Sequence, residues 1–448
     1  MQPDRYQPYT LRHLETVPRL KALPEPIRHA VRVVAQVLPF KTNRYVVEEL
    51  IDWDRVPDDP VFLLTFPQRG MLAPADFARV EAAMKRGDPA HLRAVVERIR
   101  WSLNPHPAGQ VRHNVPRLDG ERLPGMQHKY AETVLFFPGQ GQTCHAYCTF
   151  CFRWPQFVGM EGLKFAAREA DSLVAYLGRH PRVSDVLITG GDPLVMKADV
   201  LAAYLEPLLC ADLPGLTTLR IGTKALTFWP YRFLTDPDAD DLLRLFERVV
   251  ASGRQLAVMA HFNHPAELDT PAAARAVARI RATGAQIRTQ APLLAHINDD
   301  AAAWGELWRR QTALGMVPYY MFLPRDTGAR DYFAVPLVRA WRIFRDAFAG
   351  VSGLARTVRG PSMSTDHGKV QVLGEARVAG ERVLALNLLQ ARDPAWTGRP
   401  FFARYDPAAV WLDDLEPAFG EDRFFFESDA EDPAPAGRAG PGPFVELA

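Results

Sequence analysis

The chain has 448 residues, of which 48% are hydrophobic and 23% charged, and its formal net charge is +1. That length and apolar content suit several compact units or one large barrel with additions, while the balanced charge gives no electrostatic case for nucleic acid or an acidic membrane surface. No run approaches the roughly 20 apolar residues of a membrane span, the opening MQPDRYQPYTLRHLET holds no apolar signal core, and four cysteines in all argue for a cytoplasmic setting without a disulfide framework.

Residues 1–125 read as a mostly helical region, cut into short helices by Pro39, Pro57, Pro60, Pro67, Pro89, Pro105 and Pro107. From residue 126 to 350 the pattern alternates. Six β-rich runs recur, ETVLFF (132–137), SDVLIT (184–189), TTLRIG (217–222), QLAVMA (255–260), AQIRT (285–289) and PYYMF (318–322). Helical stretches are expected between them, near 165–179, 197–209, 238–252, 271–283, 301–314 and 335–348. Six strand–helix units in a row predict an α/β fold with a parallel sheet and right-handed crossovers. An open doubly wound sheet and a partial barrel both fit. Cys210 ends one helical stretch and is expected in the core. Residues 351–427 form a C-terminal extension with the strand-like runs KVQVLG and RVLALNLL. The tail, 428–448, is acidic and then rich in proline and glycine, a composition that predicts disorder.

Polar and glycine residues gather just after the runs. Cys144, Cys148 and Cys151 follow the first, Gly190, Gly191 and Asp192 the second, Thr223 and Lys224 the third. HFNHP (261–265), with His261, Asn263 and His264, follows the fourth, Gln290 the fifth, and Arg325 with Asp326 the sixth. The carboxyl edge of a parallel sheet is where such folds build their sites.

Three cysteines at C-x3-C-x2-C spacing form a soft ligand set. A structural zinc would want a second ligand pair, which the chain lacks, and His145 directly beside Cys144 is awkwardly placed to share the same ion. An iron–sulfur cluster suits three thiolates better, with one iron of a 4Fe–4S cluster left without a protein ligand.

At this point the chain resembles the radical S-adenosylmethionine enzymes, and within them the lysine 2,3-aminomutase family. The resemblance runs from about 105 to 375 and rests on LPGMQHKY, CHAYCTFCFR, DVLITGGDPL, LRIGTK, HFNHP and VPYYMF. It implies a partial (β/α)6 TIM-like barrel with an N-terminal helical region and a C-terminal extension. It also implies that S-adenosyl-L-methionine binds the free iron, with its amino group near Gly190, Gly191 and Asp192, and yields a 5′-deoxyadenosyl radical. Pyridoxal 5′-phosphate would carry the migrating nitrogen as an aldimine, with Lys369, in RGPSMSTDHGKVQV, as its Schiff-base lysine and Lys129 on its phosphate. Arg153 would hold the substrate α-carboxylate. The implied reaction moves an amino group from C2 to C3 of an α-amino acid, an isomerase reaction. A reductant such as flavodoxin or ferredoxin would supply the electron, and a homo-oligomer is compatible.

The chain departs from the family at three places. Its lysine loop has SMSTDHG in place of a run of glycines, and Thr133 stands where a second phosphate-binding arginine is usual. Where lysine mutases place two aspartates on the substrate's distal ammonium, Arg325 and Arg359 fall here. Two guanidinium groups would repel an ammonium, at several kcal/mol in a dry pocket, and attract a carboxylate. An acidic substrate such as glutamate is therefore expected. If Asp326 takes the place of Arg325, lysine is the alternative. A radical enzyme without pyridoxal phosphate, an epimerase or dehydrogenase, and a non-catalytic iron–sulfur or zinc protein are the competing readings.

Overall fold

The computed structural model describes residues 5–106, 114–160, 162–163 and 165–428. Pro107 and the tail beyond Ser428, both discussed above, lie outside the described residues. One eleven-stranded sheet forms the centre. Its strands are β1 (Met126–Tyr130), β2 (Thr133–Phe136), β3 (Asp185–Ile188), β4 (Thr218–Thr223), β5 (Gln255–His261) and β6 (Gln286–Pro292). They continue with β7 (Val317–Phe322), β8 (Arg359–Ser364), β9 (Gly368–Val378), β10 (Glu381–Ala391) and β11 (Pro400–Arg404).

Spatial order equals chain order across the whole sheet. Pairing is parallel from β2 to β8 and antiparallel at β1 and from β8 through β11. A doubly wound sheet must reverse its order partway, and this one never does. Its curl brings its distant parts together, since the Lys129 ammonium in β1 donates to the Thr365 carbonyl just after β8.

All six predicted runs are strands, and six crossover helices join β2 to β8. These are Asp171–Gly178, Ala198–Cys210, Ala239–Ala251, Pro271–Ala282, Ala301–Ala313 and Leu337–Ala349. The period-2 alternation of the strands explains the layers. In β3 to β6, Val186, Ile188, Leu219, Ile221, Leu256, Val258 and Ile287 are buried and pack on helix residues such as Leu173, Leu201, Phe246 and Ile280. Their alternates Asp185, Arg220, Ala257, Met259 and Arg288 face the concave side and line one cavity. The register keeps these level, with Leu187 opposite Arg220, Arg220 opposite Ala257 and Met259 opposite Arg288.

Cys210 corrects one expectation. It is exposed, because it closes its helix on the side away from the sheet, where Leu201, Leu205 and Leu208 make the buried stripe. Residues 351–427 add β8–β11 to the same sheet rather than standing apart.

The described part of the N-terminal region carries several short helices, and its prolines start helices as well as ending them. Pro60, Pro74 and Pro89 open Pro60–Thr65, Pro74–Arg86 and Pro89–Ser102, positions where a missing N–H costs nothing. The Asp59 carboxylate caps the first by accepting from Phe62 N at 2.7 Å. The region docks onto loops at the carboxyl edge of the sheet. Its Val33, Leu64 and Phe77 share a core with Trp154 and Phe333, and its Tyr9, Phe40 and Tyr45 share another with Trp229 and Tyr231.

Candidate active site

A cavity of about 980 Å³ occupies the concave face of the sheet, lined by residues from β1 through β10 and from the loops beyond the strand ends. Cys144, Cys148, Cys151, Gly190, Gly191, Asp192, Lys129, Arg153, Arg325 and Lys369 all line it. Arg359 does not.

The three cysteines are free thiols on one short loop. Burial raises all three thiols, Cys151 to about 11, so each keeps its proton until a metal replaces it. Among the described residues no three His, Cys, Asp or Glu side chains converge closely enough to hold one metal ion. A single zinc needs its ligands within about 2.3 Å of one point, whereas a four-iron cluster takes each thiolate on a different iron. A donor set of three thiols on one loop fits the cluster.

The cysteine loop is held from outside. Tyr6 Oη and Asn43 Nδ2 donate to the His145 carbonyl at 2.9 and 3.2 Å. Lys41 Nζ donates to the Cys144 carbonyl at 2.6 Å, and Tyr147 N returns a bond to the Lys41 carbonyl at 2.7 Å. Thr149 is fastened by its N–H and hydroxyl to the carbonyls of Leu64 and Leu63. None of these partners was legible in the sequence, since each lies roughly a hundred residues away in a region without a motif.

Gly191 presses on the same loop. A Cβ there would sit 2.4 Å from the Thr143 carbonyl oxygen, so the glycine serves the approach of two loops. Asp192 is buried, and its carboxylate accepts from Leu194 N, Thr223 Oγ1 and Lys224 N at 2.8–2.9 Å. Burial pushes its pKa up to about 6 against those bonds. Its side chain ties the end of β4 to the glycine turn, whereas the sequence suggested an ammonium partner. Lys224 turns to the buried Glu267 at 2.5 Å and Asn263 Oδ1 at 3.0 Å. Of the HFNHP residues, His261 lines the cavity, with burial and the Lys224 charge lowering its pKa to about 3. Asn263 and His264 hold the turn instead.

Arg153 is buried, with Nη2 donating to Gln156 Oε1 at 2.6 Å and Gln142 Oε1 at 3.1 Å. Its Nε has no partner, and its plane covers Phe137 at 4.3 Å. Burial lowers its pKa only to about 10, so it stays charged. Lys369 reaches Gln390 Oε1 at 3.4 Å and lies 3.9 Å from the Tyr320 ring centre. Burial first, then Arg359, Arg220, Lys129 and Arg325, bring its pKa down to about 7. Lys129 is held at about 7 by burial and by Arg392 and Arg325. Arg325 opens into the cavity above Phe152, 4.8 Å from its ring, with burial lowering its pKa.

Lys129, Arg153, Arg325 and Lys369 form no ion pair among the described residues, whereas the other lining charges are partly spent. Asp185 pairs with Arg220 and also accepts from Thr133, and Asp326 faces His106 at 3.3 Å. Arg325 and Arg359, expected to act together, stand at different places along the sheet. Arg359 opens β8 opposite Tyr320, stacked on Tyr319 and Tyr320 at 4.3 and 4.4 Å, whereas Arg325 lies past the far end of β7. Strand register, invisible in an ungapped match, sends the two to different depths.

No protein-family model matches the chain. It is similar to a protein of Aquifex aeolicus named "Putative L-lysine 2,3-aminomutase", 30% identical over 405 residues that span 90% of this chain and 95% of that one. It is 24% identical over 347 residues to the L-lysine 2,3-aminomutase of Bacillus subtilis, covering 78% of this chain and 63% of that protein. The crystal structure of Streptococcus suis SuiB bound to precursor peptide SuiA is 13% identical, with a TM-score of 0.34 over 49% of this chain and 46% of that one.

Proposed function

The chain belongs to the lysine 2,3-aminomutase family, and from that premise we propose that it moves an amino group from C2 to C3 of an α-amino acid, preferably an acidic one such as glutamate. The observation that carries this reading is the joint placement, in one cavity, of three free cysteines, a buried arginine without a carboxylate, and a lysine poised near neutrality. We read the curled sheet as a partial (β/α)6 barrel over 126–350, covered by residues 1–125 and extended by 351–427.

When bound, S-adenosyl-L-methionine on a 4Fe–4S cluster would supply the hydrogen-abstracting radical, and pyridoxal phosphate a carrier for the nitrogen. Cys144, Cys148 and Cys151 would hold the cluster, with the turn at Gly190 and Gly191 beside them and Asp192 fixing that turn. Lys369 offers a neutral amine for a carbonyl because half or so of it is unprotonated near pH 7. Lys129, whose pKa is lowered to about 7 by burial and by Arg392 and Arg325, would be held in its charged form by a phosphate beside it. Thr133 gives its hydroxyl to Asp185 and so contributes little there. Arg153 would orient the α-carboxylate with paired N–H groups, and its unpartnered Nε marks a place for an acceptor. Arg325 would take a distal carboxylate.

One observation favours a second substrate. Asp326 and Asp413 both line the cavity, and burial first, then the charge of Asp326, raises the pKa of Asp413, so a lysine ammonium has partners too. The Thr133–Asp185 bond likewise favours, as a second chemistry, a radical reaction without pyridoxal phosphate. The test is anaerobic reconstitution with iron, sulfide and pyridoxal phosphate, then reductant and S-adenosyl-L-methionine, with glutamate, aspartate, lysine or arginine offered singly. β-Glutamate by mass spectrometry supports the proposal. β-Lysine replaces the substrate and keeps the reaction, and 5′-deoxyadenosine without any β-amino acid rejects the aminomutase reading.

A further inference from the structure

We propose that Lys41, in the N-terminal region, is the counter-charge of the iron–sulfur cluster and sets its reduction potential. The inference rests on the cluster reading above. Lys41 grips the cysteine loop and is not among the residues that line the cavity. Its Nζ donates to the Cys144 carbonyl at 2.6 Å and to Thr143 Oγ1 at 3.3 Å, and lies 5.4 Å from the Tyr147 ring centre and 6.0 Å from that of Tyr6. These partners are neutral oxygens and aromatic faces. Among the described residues no carboxylate forms an ion pair with it, whereas the other half-buried ammonium near the loop, Lys224, has Glu267 at 2.5 Å.

An ammonium removed from water without an anion is costly. A thiolate-bound cluster carries negative charge, and it would sit on the loop whose carbonyl this ammonium already grips. Reduction adds an electron to that cluster. A fixed positive charge nearby stabilises the reduced form more than the oxidised form, so it raises the potential. The backbone fixes the distance as well, through Tyr147 N to the Lys41 carbonyl at 2.7 Å. Lys41 acts through the cluster and touches no substrate, so it is a positioning residue.

The experiment compares full-length wild type, Lys41→Arg, Lys41→Gln and Asn43→Ala. Asn43→Ala removes the bonds from Asn43 Nδ2 to the His145 and Phe228 carbonyls and from Val46 N to Asn43 Oδ1, and leaves the charge. Each is reconstituted anaerobically with iron and sulfide, and the cluster is titrated by electron paramagnetic resonance at controlled potential, without S-adenosyl-L-methionine or substrate. The expected result is a lower midpoint in Lys41→Gln, by about 59 mV for a tenfold fall in the reduced-to-oxidised ratio of a one-electron couple, with Lys41→Arg and Asn43→Ala near wild type. A Lys41→Gln protein that takes up no cluster, while Lys41→Arg takes up a full one, supports the same conclusion. An unchanged midpoint in Lys41→Gln clusters overturns the proposal, and so does an equal shift in Lys41→Arg. A wild type that assembles no cluster rejects the cluster reading itself, and Lys41 with it.

Discussion

At Lys369 a hydrophobic setting and four neighbouring cations do the work that a general base does elsewhere. With its pKa near 7, the amine gains its lone pair as pH rises through that value. Covalent capture of pyridoxal phosphate, trapped with borohydride and located by peptide mass spectrometry, should therefore climb between about pH 6 and 8 and then level off. Lys369→Ala should abolish it. Arg153 behaves differently, because a guanidinium stays charged even when buried. If it pairs with the substrate carboxylate as proposed, replacing it by Gln should cost about 2 kcal/mol or more, so kcat/KM should fall at least roughly thirtyfold. Arg325→Asp should invert the preference between glutamate and lysine in competition assays, and an unchanged ratio would remove Arg325 from the side-chain pocket. The cysteines, Arg153 and Lys369 could be singled out in the sequence by residue type and local spacing, and all of them line the one cavity. Lys41, Tyr6 and Asn43 could not, because they are ordinary residues that become part of the site only through folding. The position of Arg359 was not legible either, since it depends on the pairing of β8 with β7.

At the scale of elements, the strand ends are bound to one another by buried polar groups. Glu267, fully buried, accepts from Lys224 after β4 and from the N–H groups of Asn263 and His264 after β5. Glu267→Ala would strand the ammonium, and thermal or denaturant unfolding should show a loss of about 3–5 kcal/mol. Gly191→Ala should push the cysteine loop away, since the new Cβ meets backbone at 2.4 Å. The expected sign is a lower cluster content after reconstitution, with circular dichroism largely unchanged. Six of the seven parallel strands were legible from apolar runs between helical stretches. β8 was not, because RGPSMS holds too little β-branched or alternating apolar sequence to announce a strand, and its partners β7 and β9 impose the conformation.

At the scale of the whole molecule, residues 5–106 are part of the frame around the cavity. Their cores close over Trp154, Trp229 and Tyr231 from loops of the sheet, so a chain lacking residues 1–125 should expose these rings, bind a hydrophobic dye and fail to hold a cluster. Composition gave no hint of this, because helices that cover and helices that clamp look alike in sequence. The alternation along β3 to β6 has a consequence for how such a protein changes over generations. Outward positions carry the packing against the helices, and inward positions carry the ligand contacts. A substitution on the inner face therefore acts first on what the cavity can admit, and one on the outer face first on the seam between sheet and helices. The two kinds of change lie a single residue apart along each strand, and they merge only where inner-face side chains hold one another, as Asp185 and Arg220 do.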